Sequence, residues 1–184
     1  MKISSVLLEG ERIVLKNIEK DDIDRVFDLV RQYPDIDKLF PMSLISEMVI
    51  KTHFDAGDFT ENNNDVCLLI SDKQGNIIGS IAYFKGKQCD KNSLELAYHI
   101  FRPVHRGKGY MTETLCLLTT YLFETVKIPR LQINIIKGNI SSRKVAEKCG
   151  FTFDGTVHLS PQPGDKPEEV EMFSLLRDEY RKQS

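Results

Sequence analysis

A segment in the middle of the chain joins a strand pattern to a helix pattern through two closely spaced glycines. The segment covers residues 102–113 and reads Arg-Pro-Val-His-Arg-Gly-Lys-Gly-Tyr-Met-Thr-Glu. It follows an apolar-polar run at Leu94–Phe101 that predicts a strand, and it precedes a run at Thr114–Val126 that is long and apolar enough for a buried helix. A strand therefore leads into a helix through Gly107 and Gly109.

This strand-to-helix junction has the chemistry of an anion site. Backbone N–H groups in the first turn of a helix lack intrahelical partners, and the helix dipole adds positive charge there. Gly107 and Gly109 tolerate positive φ and allow a phosphate to approach closely, while Arg106 and Lys108 add full charges. We expect a pyrophosphate as the ligand, although a solvated surface turn has the same composition. The spacing matches neither Gly-x4-Gly-Lys-Ser/Thr nor Gly-x-Gly-x-x-Gly.

Length and composition narrow the class of protein. A chain of 184 residues, 41% hydrophobic and 28% charged, is expected to form one globular domain over residues 1–184. Its net charge of −2 gives no general attraction to nucleic acid or to an anionic membrane. Neither a signal peptide pattern nor an apolar run of membrane-spanning length is visible, so we expect a cytoplasmic protein.

The cysteines do not follow a metal-binding pattern. Cys67, Cys89, Cys116 and Cys149 have no Cys-x-x-Cys spacing, so we expect neither a metal nor a structural disulfide. Cys67 and Cys116 lie in apolar runs and are expected to be small core residues.

The order of strand and helix patterns indicates a sheet with covering helices. The first strand is interrupted at 9–11, and the first helix is capped by Asp21 or Asp22 and ends before Pro34. The other helices are expected at Ser43–Phe54, Thr112–Val126 and Ser141–Cys149. The seven strands are expected at Leu7–Lys16, Val66–Ser71, Asn76–Lys85, Leu94–Phe101, Leu131–Ile136, Phe151–Val157 and Val170–Leu176.

A second motif, at residues 139–151, reads Asn-Ile-Ser-Ser-Arg-Lys-Val-Ala-Glu-Lys-Cys-Gly-Phe. Together with the first motif it resembles the acyl-CoA N-acyltransferases of the GNAT superfamily. The Arg/Gln-x-x-Gly-x-Gly/Ala signature of that family is matched over 106–111, with Met111 as a departure at the last position. Its Asn-x-x-Ser and Lys-x-Gly-Phe elements are matched over 139–151. The sequence Gly-Tyr-x-Thr-Glu at 109–113 is most similar to the ribosomal-protein alanine N-acetyltransferase branch.

The resemblance covers essentially the whole chain and implies a fold and a donor. The implied fold is α/β (α+β), with a mixed, largely antiparallel seven-stranded sheet, helices on both faces, and a splay between strands four and five. The implied donor is acetyl-CoA, with its pantetheine arm lying like an added strand beside Ile100 and Phe101. Asn139 and Ser142 are expected near the pantetheine or its thioester. The pyrophosphate is expected at the start of the helix, on Arg106, Gly107, Lys108, Gly109, Tyr110, Met111 and Thr112.

The resemblance also implies acetyl transfer to a primary amine, which needs a base, an oxyanion donor and an acid for the departing thiolate. Glu95 is the candidate base, because related enzymes carry a glutamate at this distance before the signature. His99 shares a strand face with Glu95 if no bulge intervenes and is a candidate relay. Ser142 is the candidate acid. The alternatives are a solvated carboxylate, a partly buried histidine and a helix cap, respectively.

The acceptor is less constrained than the donor. A protein N-terminus and a small-molecule amine both remain open, with an acceptor pocket expected from Asp35–Phe54 and His158–Glu169. Exposed strand edges would permit a homodimer. A non-catalytic acyl-CoA-binding sensor or scaffold is the alternative function. An ATP- or NAD-dependent enzyme is a third class, for which both nucleotide motifs are missing.

Overall fold

The strands pair in an order that follows the chain until its last hairpin. The computed structural model describes residues 6–32, 66–86, 92–159 and 167–183. Its strands are β1 (Val6–Glu9), β2 (Ile13–Asn17), β3 (Val66–Asp72), β4 (Ile77–Phe84), β5 (Ser93–Ile100), β6 (Arg130–Ile136), β7 (Thr152–Leu159) and β8 (Glu168–Leu176). Their hydrogen-bonded order is β1-β2-β3-β4-β5-β6-β8-β7. The α-helices within these ranges are α1 (Lys20–Gln32), α2 (Tyr110–Tyr121), α3 (Ile140–Lys148) and α4 (Arg177–Gln183).

Within the described residues the sheet has eight strands, so the expectation of seven is corrected. The interruption at 9–11 is a turn between two strands, where Gly10 donates its N–H to the Ile13 carbonyl at 2.9 Å. β1 and β2 pair antiparallel from Val6↔Lys16 to Glu9↔Val14. The expected mixed and largely antiparallel architecture is confirmed, since β5 and β6 run parallel while β2–β3, β3–β4, β6–β8 and β7–β8 run antiparallel.

The contacts between residues in space divide the chain into two compact units. The first contains Met1–Tyr83 and Tyr98–Thr114, and the second contains Phe84–Ala97 and Leu115–Ser184. In the first unit, Val26 of α1 belongs to a buried cluster with Leu69, Ile77 and Phe101. Helix α1 therefore packs through the apolar positions that its three- and four-residue spacing predicts.

Helix α1 begins at Lys20, so Asp21 and Asp22, the two expected caps, both lie in its first turn. Asp22 lies in the first turn, where it is 3% exposed. Its Oδ2 accepts hydrogen bonds from Glu19 N at 3.0 Å and Lys16 Nζ at 2.6 Å. The carboxylate therefore ties the helix start to the end of β2 and is compensated by a lysine, as burial of a charge requires.

In the second unit, β6 lies between β5 and β8. The parallel register with β5 runs from Ser93↔Arg130 to Leu96↔Ile133 and ends there, although β5 itself continues to Ile100. The expected splay between strands four and five, which are β5 and β6 in the structure, requires that their pairing end before the strands do. On its other side β6 pairs with β8 along its whole length, from Arg130↔Leu176 to Ile136↔Val170.

Some expected elements lie outside the described residues. These are the helix at Ser43–Phe54 with the first part of the expected acceptor pocket, and residues 160–166 of the second part. No helix within the described ranges is long and apolar enough to cross a membrane.

Candidate active site

The glycine junction in the first unit has the backbone geometry expected of an anion cradle. A single 3-10 turn at Pro103–His105 follows β5, and α2 begins at Tyr110. Between them, Gly107 and Gly109 have φ values of 70° and 80°. A Cβ at Gly107 would meet no atom within 4 Å, so the space beside this backbone is open. The side chains of Arg106 and Lys108 are exposed and can supply charge to a ligand there.

Arg12 holds this junction in place, although no local pattern in the sequence predicts that role. The guanidinium donates from Nε to Glu113 Oε2 at 2.8 Å and from Nη1 to the Lys108 carbonyl at 2.9 Å. The backbone N–H of Arg12 donates to Glu113 Oε1 at 2.7 Å. The guanidinium carbon also lies 5.2 Å from the centroid of the Tyr110 ring. Arg12 thus fixes both the loop and the first turn of α2.

Glu113 is ionised in its contact with Arg12. Burial raises the pKa of its carboxyl, but the hydrogen bonds and charge of Arg12 outweigh burial and hold the pKa below its ordinary value. A carboxylate in the first turn of a helix also interacts favourably with the helix dipole. The guanidinium therefore neutralises a negative charge that would otherwise oppose an anion at the junction.

The end of β5 offers one residue rather than two for pairing with an extended ligand. Phe101 donates its N–H to the Ile78 carbonyl at 3.0 Å, so this group faces β4. Successive residues of a strand direct their backbone groups to opposite sides. Ile100 therefore directs its N–H and C=O away from β4. Phe101 is 1% exposed, so it is a core residue of the first unit.

His99 is buried and neutral. It is 9% exposed, its ring centroid lies 5.9 Å from that of Phe101, and its Nε2 has no hydrogen-bond partner in the part of the chain that the structure describes. Burial and then the charge of Arg106 lower the pKa of the imidazole to about 4. If Glu95, Ala97 and His99 lay on one face of β5, their burial should be similar. His99 is buried whereas Glu95 and Ala97 are half-buried, so the burial pattern does not support a shared face for Glu95 and His99.

Glu95 belongs to the second unit and lies at the end of a chain of polar side chains. Burial raises the pKa of Glu95, while a hydrogen bond with Asn134 lowers it. Asn134 Oδ1 accepts from Gln132 Nε2 at 3.2 Å. Gln132 Oε1 in turn accepts from Arg130 Nη1 at 2.8 Å, and Arg130 Nη2 donates to Asp154 Oδ2 at 2.9 Å.

The direction of these hydrogen bonds is fixed by chemistry. A guanidinium can only donate, so Arg130 orients the oxygen of Gln132 towards itself and the NH₂ group towards Asn134. Asn134 must then accept from Gln132 with its oxygen, which leaves its NH₂ group to donate to Glu95. Because Gln132 is fully buried, its amide cannot exchange these two partners for water.

The second motif forms the start of α3. Gly138 has a φ of 92°, and Asn139 is the N-cap, whose Oδ1 accepts from Ser142 N at 3.1 Å. Gly138 therefore takes the left-handed conformation before the helix, while Asn139 has a φ of −77°. Since Asn139 caps the helix, the half-buried Ser142 is not needed for that role.

Two acidic side chains of the segment His158–Glu169, where part of the acceptor pocket is expected, lie at the start of β8. Glu169 accepts from Lys137 Nζ at 2.8 Å, which lowers the pKa of its carboxyl. Glu168 is exposed at the first position of the strand. The charge of Glu169 is therefore already compensated within the second unit.

The sequence matches the family described as Acetyltransferase (GNAT) domain over residues 12–152. The chain therefore belongs to the acetyltransferase (GNAT) domain family. The fold that this resemblance implied is confirmed, apart from the number of strands.

Two curated relatives come from Bacillus subtilis (strain 168). YjcK, named as a probable N-acetyltransferase, is 28% identical over 102 residues, which are 54% of this chain and 55% of that protein. YdaF, named as a candidate ribosomal N-acetyltransferase, is 29% identical over 106 residues, which are 58% of this chain and 57% of that protein. Each match thus spans little more than half of the relative.

Solved structures share the fold over nearly the full chain. The microcin C7 self-immunity acetyltransferase MccE, solved in complex with acetyl-CoA and AMP, superposes with a TM-score of 0.80 at 18% identity. The match covers 95% of this chain and 97% of MccE. At this identity the likeness shows the fold.

Proposed function

We propose that this chain is a cytoplasmic, acetyl-CoA-dependent N-acetyltransferase that transfers an acetyl group to a primary amine by direct attack in a ternary complex. The observation that carries the proposal is the glycine junction, where Gly107 and Gly109 have positive φ and Arg12 holds the start of α2. Family membership and the acetyl-CoA bound by MccE support the choice of donor.

The junction fits the pyrophosphate of acetyl-CoA. The backbone from Arg106 to Tyr110 supplies N–H groups, and Gly107 leaves open space for the phosphate oxygens. Met111 is 7% exposed, so its long side chain belongs to the core and the helix start contributes backbone groups at Met111 and Thr112. The departure from the family signature therefore does not obstruct the cradle.

The pantetheine arm is assigned to the outward backbone groups of Ile100, since the N–H of Phe101 is already used by Ile78. Asn139 would donate its NH₂ group to the pantetheine, because its oxygen is engaged by Ser142 N.

Acetyl-CoA supplies an activated thioester, so no covalent enzyme intermediate is required. Glu95 accepts the proton that the attacking amine must lose, and burial makes its carboxylate a stronger base than a solvated one. Asn134 holds Glu95 in place by donating a hydrogen bond to it. Ser142 hydrogen-bonds to the departing thiolate and passes it a proton, which the hydroxyl regains from solvent. His99, with a pKa of about 4, has a packing role.

Binding and turnover separate an enzyme from a sensor. Thermal unfolding of the purified chain should shift upward with acetyl-CoA and with CoA but not with ATP, because a ligand that binds only the native state stabilises it by mass action. Release of CoA thiol from acetyl-CoA should then appear when either spermidine or a peptide with N-terminal alanine is added. If acetyl-CoA binds but neither amine causes thiol release, the result would support the sensor or scaffold.

The base is tested by Glu95→Gln, with the exposed Glu124→Gln, which lies outside the proposed site, as the matched control. We expect the first variant to lose about 10²–10⁴ in kcat, the usual contribution of general acid–base catalysis, with an unchanged thermal shift in CoA. The control should keep its kcat. Retention of kcat in Glu95→Gln would exclude the carboxylate as the base.

A further inference from the structure

Two cysteines meet in the second unit. The Sγ atoms of Cys116 and Cys149 lie 2.8 Å apart. The two residues are 33 positions apart in the chain, and neither is in a disulfide bond. A disulfide bond holds its sulfur atoms at about 2.05 Å. The two sulfurs are thus within about 1 Å of bonding distance.

Cys116 is exposed, which corrects the expectation that it is a core residue. It lies near the middle of α2, one helical turn before the exposed Thr120, whereas the neighbouring Leu115 and Leu118 are fully buried. The apolar run of α2 therefore includes an outer face, and Cys116 lies on it. A small reagent in solution can reach its sulfur.

Cys149 is half-buried at the C-cap of α3. Its N–H donates to the carbonyls of Val145 and Ala146, at 3.2 Å and 3.0 Å. The following Gly150 takes a φ of 85°, and Phe151 is buried. Because the backbone on both sides is fixed, Cys149 is held beside α2 rather than on a free loop.

The contact makes the two thiols unequal. The hydrogen bond with Cys149 lowers the pKa of Cys116, although burial opposes this change. The pKa of Cys149 is raised by the same contact, by burial and by the charge of Cys116. The thiolate, which is the nucleophilic form of cysteine, therefore forms first on the exposed residue.

We propose that Cys116 and Cys149 are a reversible dithiol site that is oxidised to an intramolecular disulfide by low-molecular-weight disulfides. The Cys116 thiolate attacks one sulfur of R–S–S–R, and one R–S⁻ leaves, which gives a mixed disulfide on Cys116. Cys149 then loses its proton and attacks the Cys116 sulfur, displacing the second R–S⁻. Two protein thiols are oxidised and one external disulfide is reduced to two thiols.

Oxidised glutathione is the probe for the test. The full chain has four cysteines, so titration of the denatured protein should find four thiols before treatment and two after it. Proteolysis without reductant should release the Cys116 and Cys149 peptides joined to each other, and dithiothreitol should restore four thiols. Joining of any other pair, or loss of thiols without a joined peptide, would overturn the proposal.

Two serine variants assign the roles of the sulfurs. Cys149→Ser should accumulate one glutathione on Cys116, since nothing resolves the mixed disulfide. Cys116→Ser should form adducts at least about tenfold more slowly than Cys149→Ser, because the remaining Cys149 is half-buried whereas Cys116 is exposed. Cys67→Ser is the control and should form the same disulfide as the unchanged protein. Equal adduct formation in the first two variants would contradict the assigned order of attack.

Circular dichroism of each variant before treatment shows whether it is folded. If a serine variant fails to fold, the joined peptide in the unchanged protein still decides whether the disulfide forms.

Discussion

The ion pair between Arg12 and Glu113 should strengthen the binding of the acetyl-CoA donor by an amount that can be measured. Arg12→Met keeps the backbone hydrogen bond to Glu113 but removes the ion pair and the hydrogen bond to Lys108. Hydrogen bonds to charged groups contribute about 1.5–3 kcal/mol, and exposed ion pairs about 0.2–1 kcal/mol. The Arg12 side chain is 47% exposed and that of Glu113 is 17% exposed, so we expect a loss of about 1–2 kcal/mol of stability.

The same variant leaves the charge of Glu113 uncompensated at the anion site. A loss of about 1–2 kcal/mol in binding corresponds to a roughly 5- to 30-fold higher Kd for CoA. Glu113→Gln removes that charge and keeps the positive charge of Arg12, so its Kd should be equal to or lower than that of the unchanged protein. The double variant should recover most of the affinity that Arg12→Met loses.

Isothermal titration calorimetry measures the Kd for CoA of the unchanged protein, the two single variants and the double variant, which together form a double-mutant cycle. Urea unfolding measures the stability of each variant. Arg31→Met is the matched control, because Arg31 forms an exposed ion pair with Asp28 on α1 and should change stability by less than about 0.5 kcal/mol. If the effects of the two single variants on CoA binding add within about 0.5 kcal/mol, the electrostatic explanation is refuted.

Gly79→Ala should destabilise the fold by at least about 1–3 kcal/mol in urea, because a Cβ there would overlap the carbonyl oxygen of His99; Gly155→Ala, with nothing within 4 Å, is the control and should be nearly neutral. His99→Phe should flatten the loss of stability between pH 6.5 and pH 4. In the unchanged protein the unfolded chain takes up a proton in this range before the folded imidazole does, so folding weakens as the pH falls. Asn134→Leu should shift the acid limb of the pH profile of kcat/KM to higher pH, because burial then raises the pKa of Glu95 without the opposing hydrogen bond. An unchanged acid limb would show that Glu95 is not the group that titrates there.

Local features of the chain were predictable because they depend on neighbouring residues. The positive φ angles of Gly107 and Gly109 follow from the need to turn a strand end into a helix start within a few residues. The end of α3 at Cys149, followed by Gly150 with positive φ, follows from the same preference. In each case the residue type and its position relative to one helix determine the conformation.

Contacts between distant residues were not predictable from one sequence. Arg12 and Glu113 are 101 positions apart, and neither differs in type from a solvated surface residue. The pairing of Cys116 with Cys149 depends on how α2 packs beside the end of α3. No local periodicity contains that information, so an exposed cysteine on an apolar helix looked like a core residue.

The polar chain on β6 is an intermediate case, because its signal was present in the sequence. Arg130, Gln132 and Asn134 alternate with Leu131, Ile133 and Ile135, so three polar side chains share one face of a strand whose other face is apolar. Burying such a face costs free energy unless its members bond to one another. A run of donors and acceptors that begins with an arginine, which can only donate, has one consistent direction. The strand therefore delivers an oriented hydrogen-bond donor to Glu95, which lies opposite Gln132 in the parallel register, and this donor offsets part of the effect of burial on the proposed base.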